Sequence, residues 1–318
     1  MARAEHTLPD VPLSRPVLDR RAELRTDPGL LPRLLADPAT RVLRLVGDLA
    51  EVTEADARPR LALSPPVPED GDLLAVYLGE LDGRHHVASL RDASDEGSAG
   101  EGPVLALDPA WRTLRQVGAH LDDVDASLFA TALALGNWHR THGHCPRCGT
   151  ATEPALAGWI RRCPADGSEH YPRTDVAVIV AVVDARDRLL LARGRGFRSG
   201  GMSVLAGFLE PGETLAAAVV REVGEEVGVT VEDVTYLADQ PWPFPSSLMV
   251  GFRARAVGTD LRLQEDEIAS AQWFTRDELA RGVASGEVVL PGRVSIARRL
   301  VEHWYGGAID APDNAGLR

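Results

Sequence analysis

The chain has 318 residues, and 47 Asp and Glu against 34 Lys and Arg leave a formal charge of −13. At ~150 residues per domain this is enough for about two domains with their own cores, and 44% apolar with 25% charged residues excludes a disordered or fibrous chain. The acidic balance argues against a broad electrostatic grip on nucleic acid or anionic membrane, and the longest apolar run, 176–183, falls far short of the ~20 residues of a membrane span.

Pro9, Pro12, Pro16 and scattered charges leave no signal-peptide pattern in residues 1–20. The three cysteines are Cys145, Cys148 and Cys163. An odd count that opens on a C-x2-C pair argues against a disulfide framework and points to the cytoplasm. Residues 1–125 read as one region of short strands, at 41–46, 72–78, 86–90 and 104–107, with a Ser/Gly/acidic loop over 92–102. His85 and His86 are strand neighbours facing opposite sides, which excludes one shared site. A helix is predicted over 125–142, with Leu128, Ala132, Leu135 and Trp138 as its buried stripe. It opens a second region, 126–170, that holds the cysteines.

From 171 to 309 strands and helices mix. Strands are predicted at 175–183, 188–192 and 248–256, a Gly/Arg loop at 194–201, and helices at 214–227, 275–281 and 294–305. The fold class is α/β or α+β with a mixed sheet.

The helix at 214–227 carries the chemistry. Leu215, Val219, Val223 and Val227 recur every four residues as an apolar stripe. Glu222 and Glu226 are i,i+4 neighbours, and Glu225 stands beside Glu226, so three carboxylates crowd one helix end. A Pro211-Gly212 turn would bring Glu213 back toward Arg221. Such crowding is unfavourable unless a cation neutralises it. A Glu-Glu pair alone is the mark of a solvated helix face. Here, however, the full pattern from Gly207 is G-x5-E-x7-R-E-U-x-E-E-x-G-U, with U aliphatic.

This pattern resembles the Nudix box at every fixed position. Nudix hydrolases cleave a nucleoside diphosphate linked to another group, using divalent metal held by this loop–helix–loop. The resemblance implies Glu222 and Glu226 as metal ligands, Glu225 as shared ligand or general base, and Arg221 orienting the loop through Glu213. Oxygen donors suit Mg²⁺ or Mn²⁺. Beyond the box, Gln240-Pro-Trp-Pro-Phe-Pro-Ser-Ser247 is similar to the signature of NAD(H) pyrophosphatases, with Asp239 in place of the usual leading Ser. Without that resemblance, three prolines between aromatics read equally as a rigid connection. Tyr171-Pro-Arg173 matches a further family segment.

The family implies a Nudix α/β/α sandwich with a mixed sheet, preceded by a box-less Nudix-like domain and a small zinc ribbon, as a homodimer. Its reaction turns NADH or NAD⁺ and water into NMNH or NMN and AMP, and some members also remove NAD caps from RNA 5′ ends. It also implies Glu267 as an additional Mg²⁺ or Mn²⁺ ligand. Tyr171, Phe208, Trp242, Ser247 and the backbone around Ala297 would hold the dinucleotide, although Tyr171 and Trp242 read equally as core aromatics. Arg193, Arg195 and Arg198 form a basic run that reads as solvated loop charge or as phosphate contacts. The ribbon departs from the family: Cys145, Cys148 and Cys163 supply three thiolates, and the fourth Cys position falls on Asp166. His170, Asp166 or His144 is left to complete a Zn²⁺ site, His170 being chemically the best donor. The alternative is a relic ribbon held by packing. Rival functions are a Nudix hydrolase of ADP-ribose or another nucleoside diphosphate derivative, and a Nudix-fold sensor that binds without cleaving. The intact acidic set speaks against the sensor.

Overall fold

The computed structural model describes residues 8–14, 18–92 and 108–311. The expected strand at 104–107 lies outside these residues, as does all but Asp92 of the expected loop at 92–102. The chain forms two compact units, one from the described parts of 15–174 with 242–246, the other from those of 1–14, 175–241 and 247–318.

In the first unit, the described strands are β1 (Arg41–Val46), β2 (Leu49–Ala55), β3 (Arg58–Leu61), β4 (Leu74–Leu81), β5 (Arg84–Arg91) and β6 (Trp111–Thr113). They make a sheet in the order β3-β2-β1-β5-β4, with β6 on β2. The β1–β5 pair is parallel, while β2 and β4 join antiparallel. β2 and β3 are not among the predicted strands: Glu51 and Thr53 face water from one side of β2, and exposed Glu54 breaks the apolar pattern on the other. The helices are α1 (Leu30–Ala36), α2 (Leu114–Val117) and α3 (Asp123–Thr141). The Asp122 carboxylate caps α3 by accepting from the Asp125 N–H at 2.9 Å. Its stripe of Leu128, Ala132, Leu135 and Trp138 is buried, and the helix lies on β1, β4 and β5. A small sheet follows, from β7 (Glu153–Ala155), β8 (Ile160–Arg162) and β9 (Glu169–His170). It is tied to α3 by buried His139, whose Nε2 donates to Gly158 O at 2.8 Å while Nδ1 accepts from Arg161 at 3.0 Å. The two neighbouring histidines part as expected: His86 is buried, and His85 meets the Tyr77 hydroxyl at 2.9 Å.

The second unit holds β10 (Asp175–Val183), β11 (Leu189–Gly194), β12 (Leu205–Phe208), α4 (Leu215–Val227), β13 (Val231–Trp242), β14 (Ser247–Ala256), β15 (Ile268–Phe274), α5 (Arg276–Ser285) and α6 (Ile296–Tyr305). The sheet order is β13-β14-β10-β11-β15. β10 runs parallel to β14 along its whole length; on its other side it pairs with β12 at 177–180 and meets β11 at Val183. Its unbroken apolar sequence follows from being covered on both faces. Val178, Val180 and Val182 pack with Val219, Val223 and Val227 of α4. Ile179, Ala181 and Val183 pack with Ile296, Leu300 and Val301 of α6. Each such Val, Ile or Leu side chain contributes roughly 1.5–3 kcal/mol on burial, so α4 and α6 are fixed against the sheet.

The amino-terminal segment departs from the expected 1–125 region. Leu8 and Val11 join the core of the second unit, and the Leu8 N–H donates to Leu237 O at 3.0 Å. Fully buried Gln240 holds this arrangement. Its Nε2 donates to Pro12 O at 2.6 Å and Val294 O at 2.8 Å, and its Oε1 accepts from the Ile296 N–H at 2.8 Å.

Candidate active site

Thr214 caps α4 by accepting from the Ala217 N–H at 3.2 Å, and Gly228 ends the helix in the left-handed conformation. Before the helix, Glu210-Pro211-Gly212-Glu213 closes a turn in which the Glu213 N–H donates to Glu210 O at 3.1 Å. Gly212 has φ +88°, which a turn with proline before it requires of glycine. The turn delivers Glu213 to Arg221.

Arg221 binds Glu213 through two parallel bonds, Nε to Oε1 at 2.8 Å and Nη2 to Oε2 at 2.9 Å. It also donates to Glu222 at 2.9 Å, Glu225 at 3.0 Å and Phe208 O at 2.9 Å. The Glu213 carboxyl is held below the usual range by this guanidinium, and Arg221 is held firmly charged by Glu213 first and then by Glu222 and Glu225. One arginine thus braces the β12 end, the turn and the helix.

Glu222 lies against Gly207 of β12. A Cβ at Gly207 would sit 1.9 Å from the Glu222 Cδ, so only glycine leaves room for the carboxylate. Burial raises the Glu222 pKa. Glu226 is 8% exposed, and its buried Oε2 has no hydrogen-bond partner. Burial pushes its carboxyl up to about 8, reinforced by the charges of Glu222, Glu267 and Glu225. It lines a cavity of about 440 Å³ together with Glu267, Arg195 and Phe197. Glu267 sits on a loop whose Gln264 N–H donates to Glu226 O at 3.0 Å. Arg195, from the basic run, donates to Glu265 O through its side chain and at 2.9 Å to Glu267 O through its backbone. It therefore lines the cavity at an exposed position of the loop.

These glutamate oxygens are not gathered at one point, because Arg221 draws Glu222 and Glu225 to itself while Glu226 faces the cavity. The donor set nevertheless fits a hard divalent cation. It offers oxygens only, it has an orphaned buried carboxylate oxygen, and Arg221 pairs with Glu213, Glu222 and Glu225 but not with Glu226 or Glu267. Mg²⁺ in particular uses one or two carboxylates and keeps waters for substrate phosphates.

The remaining predicted residues are spread. Phe208 is 59% exposed at the end of β12. Ser247 opens β14 opposite Asp175, and Ala297 is buried in the first turn of α6. Tyr171 and Trp242 belong to the other unit. Tyr171 is 65% exposed and donates to Glu169 at 2.9 Å, so it is no core aromatic. Trp242 packs edge-on to Phe244, and the Arg115 guanidinium lies 3.9 Å from the Phe244 ring centre. Asn137 of α3 donates to Pro243 O and Pro245 O, each at 2.9 Å. Asn137 and Arg115, which fasten the aromatic segment, lie over 100 residues before it and carry no local signal.

Cys145, Cys148 and Cys163 come together with Asp166, their ligand atoms all within 4.8 Å of one another. His170 is outside this group, its Nε2 on the Ser168 hydroxyl at 3.2 Å. The structure therefore brings Asp166, not the chemically preferred His170, to the three sulfurs. His144 does not join them.

The family profiles agree with this architecture. The NUDIX domain profile matches residues 173–291, the NADH pyrophosphatase zinc ribbon domain 140–171, and the NADH pyrophosphatase-like rudimentary NUDIX domain 34–138. The NAD-capped RNA hydrolase NudC of Mycobacterium bovis is 41% identical over 309 residues, which is 92% of this chain and 94% of its own. NudC of Mycobacterium tuberculosis is 40% identical over the same shares. The human NAD-capped RNA hydrolase NUDT12 is 42% identical over 197 residues, 58% of this chain and 42% of its own. Fold and acidic helix together define a Nudix hydrolase. Within that class, the chain belongs to the zinc-ribbon-containing NAD(H) pyrophosphatase family. Among the described residues no helix is long and apolar enough to cross a membrane.

Proposed function

We propose that this protein hydrolyses the pyrophosphate bond of NADH or NAD⁺ to NMNH or NMN and AMP, and removes NAD caps from RNA 5′ ends. The observation that carries the reading is the buried, unpartnered oxygen of Glu226, facing the cavity that Glu267 also lines, in a chain of this family. A carboxyl kept there against burial and like charge holds a proton when metal-free and releases it when a cation binds. When bound, Mg²⁺ or Mn²⁺ neutralises phosphate charge and acidifies water. Glu222, Glu226 and Glu267 are assigned as its ligands. Glu225, the most exposed glutamate bonded to Arg221, is a shared ligand or the base that takes the proton from the attacking water. Arg221 and Glu213 position these carboxylates. The family resemblance assigns Tyr171, Phe208, Trp242, Ser247 and the Ala297 backbone to dinucleotide binding.

The domain reading is a Nudix-like domain within 1–125, whose segment 8–14 packs instead in the catalytic unit, a linking helix with zinc ribbon over 126–170, and the catalytic domain over 171–309. We assign a homodimer in the cytoplasm, where the three thiols stay reduced. The reading is tested by incubating the protein with NADH, NAD⁺, ADP-ribose and NAD-capped RNA in Mg²⁺ or Mn²⁺ and separating the products. AMP with NMNH from NADH, and NMN with 5′-monophosphate RNA from the capped transcript, are expected. Cleavage of ADP-ribose alone, or of none of the four, would overturn it.

A further inference from the structure

The two halves of the ribbon repeat one another. Cys145-Pro-Arg-Cys-Gly-Thr150 and Cys163-Pro-Ala-Asp-Gly-Ser168 have the same spacing of sulfur, glycine and hydroxyl, with Asp166 in the place of Cys148. Their backbones match as well. In the first, Gly149 N–H donates to Cys145 O at 2.9 Å and Cys145 N–H to Thr150 O at 2.8 Å. In the second, Gly167 N–H donates to Cys163 O at 2.9 Å and Cys163 N–H to Ser168 O at 2.9 Å. The glycines turn at φ +75° and +73°. Each loop therefore presents two side chains, three residues apart, to the same point.

The spacing at that point fits a tetrahedral ion. Zn–S bonds of about 2.3 Å and a Zn–O bond of about 2.1 Å separate neighbouring donors by about 3.6–3.8 Å. The Cys145 sulfur lies 3.7 Å from Asp166 Oδ2, and the sulfurs of Cys148 and Cys163 are 3.5 Å apart. The two carboxylate oxygens have different tasks. Oδ1 accepts from the Ser168 hydroxyl at 2.6 Å and the Ser168 N–H at 2.9 Å, which leaves Oδ2 on the side of the sulfurs. With the Ser168 proton given to Asp166, the His170 Nε2–H donates to the Ser168 oxygen.

We infer that this ribbon binds zinc through Cys145, Cys148, Cys163 and Oδ2 of Asp166, with Ser168 as the positioning residue for the carboxylate and His170 outside the coordination sphere. The aspartate replaces a thiolate without changing the charge of the donor set, so the ribbon keeps its metal. One hard oxygen among three sulfurs makes it a weaker zinc site than four thiolates would be.

Zinc affinity of the full-length protein, read by competition with a chromophoric chelator, and the absorption of its Co²⁺ form test this without reference to turnover, so the outcome is independent of the hydrolytic reading. Wild-type protein is expected to hold one zinc per chain. Asp166→Ala and the near-isosteric Asp166→Asn should each bind at least about tenfold more weakly, and Ser168→Ala by about 10-fold, the lower end for loss of an outer-shell partner. Asp166→Cys should bind more tightly and increase the sulfur-to-cobalt charge-transfer band in proportion to the added sulfur. His170→Ala should retain wild-type affinity. The assignment fails if Asp166→Asn and Asp166→Ala bind zinc like wild type, if His170→Ala loses it instead, or if the wild-type protein carries well below one zinc per chain.

Discussion

Gly207 and Glu226 show how closely the site is set by single side chains. Gly207 supplies no side chain to chemistry, yet it makes the space in which the Glu222 carboxylate lies. Gly207→Ala should displace that carboxylate while the fold accommodates the change, because the clash is with the far end of a flexible side chain. Turnover at saturating metal is expected to fall by about 100-fold or more with melting temperature almost unchanged; steady-state kinetics beside a thermal melt check this. Glu226 makes the opposite trade. Its carboxyl, raised from 4.5 to about 8 by burial and neighbouring acids, retains a proton in the folded state that the unfolded chain releases. Metal-free protein therefore loses stability as pH rises from 4.5 to about 8, and Glu226→Gln removes that loss. In EDTA at pH 8 the variant should melt about 4–8 °C above wild type, equivalent to about 2 kcal/mol, and the gap should close toward pH 4.5. Parallel melting profiles would contradict the assignment.

At the level of elements, α4 and β10 were the most legible, and for a physical reason. A helix with one apolar stripe and a strand buried on both faces each have one solution for their pattern, and both lie within a residue or so of the predicted bounds. β12 was not legible, since four residues inside a loop motif hold no periodicity. β13 was obscured by Pro241, which read as a break but sits near the strand's end, where a proline is tolerated. Gln240, read only as part of a signature, is a fastening between β13, the Pro12 segment and the start of α6. Gln240→Ala would strand two carbonyls and an N–H away from water, at about 2–4 kcal/mol. Chemical denaturation should show that loss; a change under about 1 kcal/mol would mean that these groups find other partners.

Over the whole molecule, the net charge of −13 proved less informative than its placement, because a focused part of it surrounds one arginine. The glutamates of the box stood out by their spacing and Glu267 by the family resemblance, while the loop contacts that join Arg195 to Glu267 are visible only in the fold. In the ribbon, donor chemistry favoured His170, whereas the repeat of the two turns put Asp166 at the sulfurs. Long-range fastenings such as Asn137 to the Pro243 and Pro245 carbonyls leave no local trace at all. The central claim is that the α4 carboxylates form a metal-dependent hydrolytic centre. It is tested most directly by the rate of AMP formation from NADH as Mg²⁺ or Mn²⁺ is titrated into wild-type and Glu226→Gln protein. Saturable dependence on the metal in the wild type, with a loss of about 1000-fold or more in the variant, is the predicted result. AMP released without metal, or at near-wild-type rates by Glu226→Gln, would contradict it.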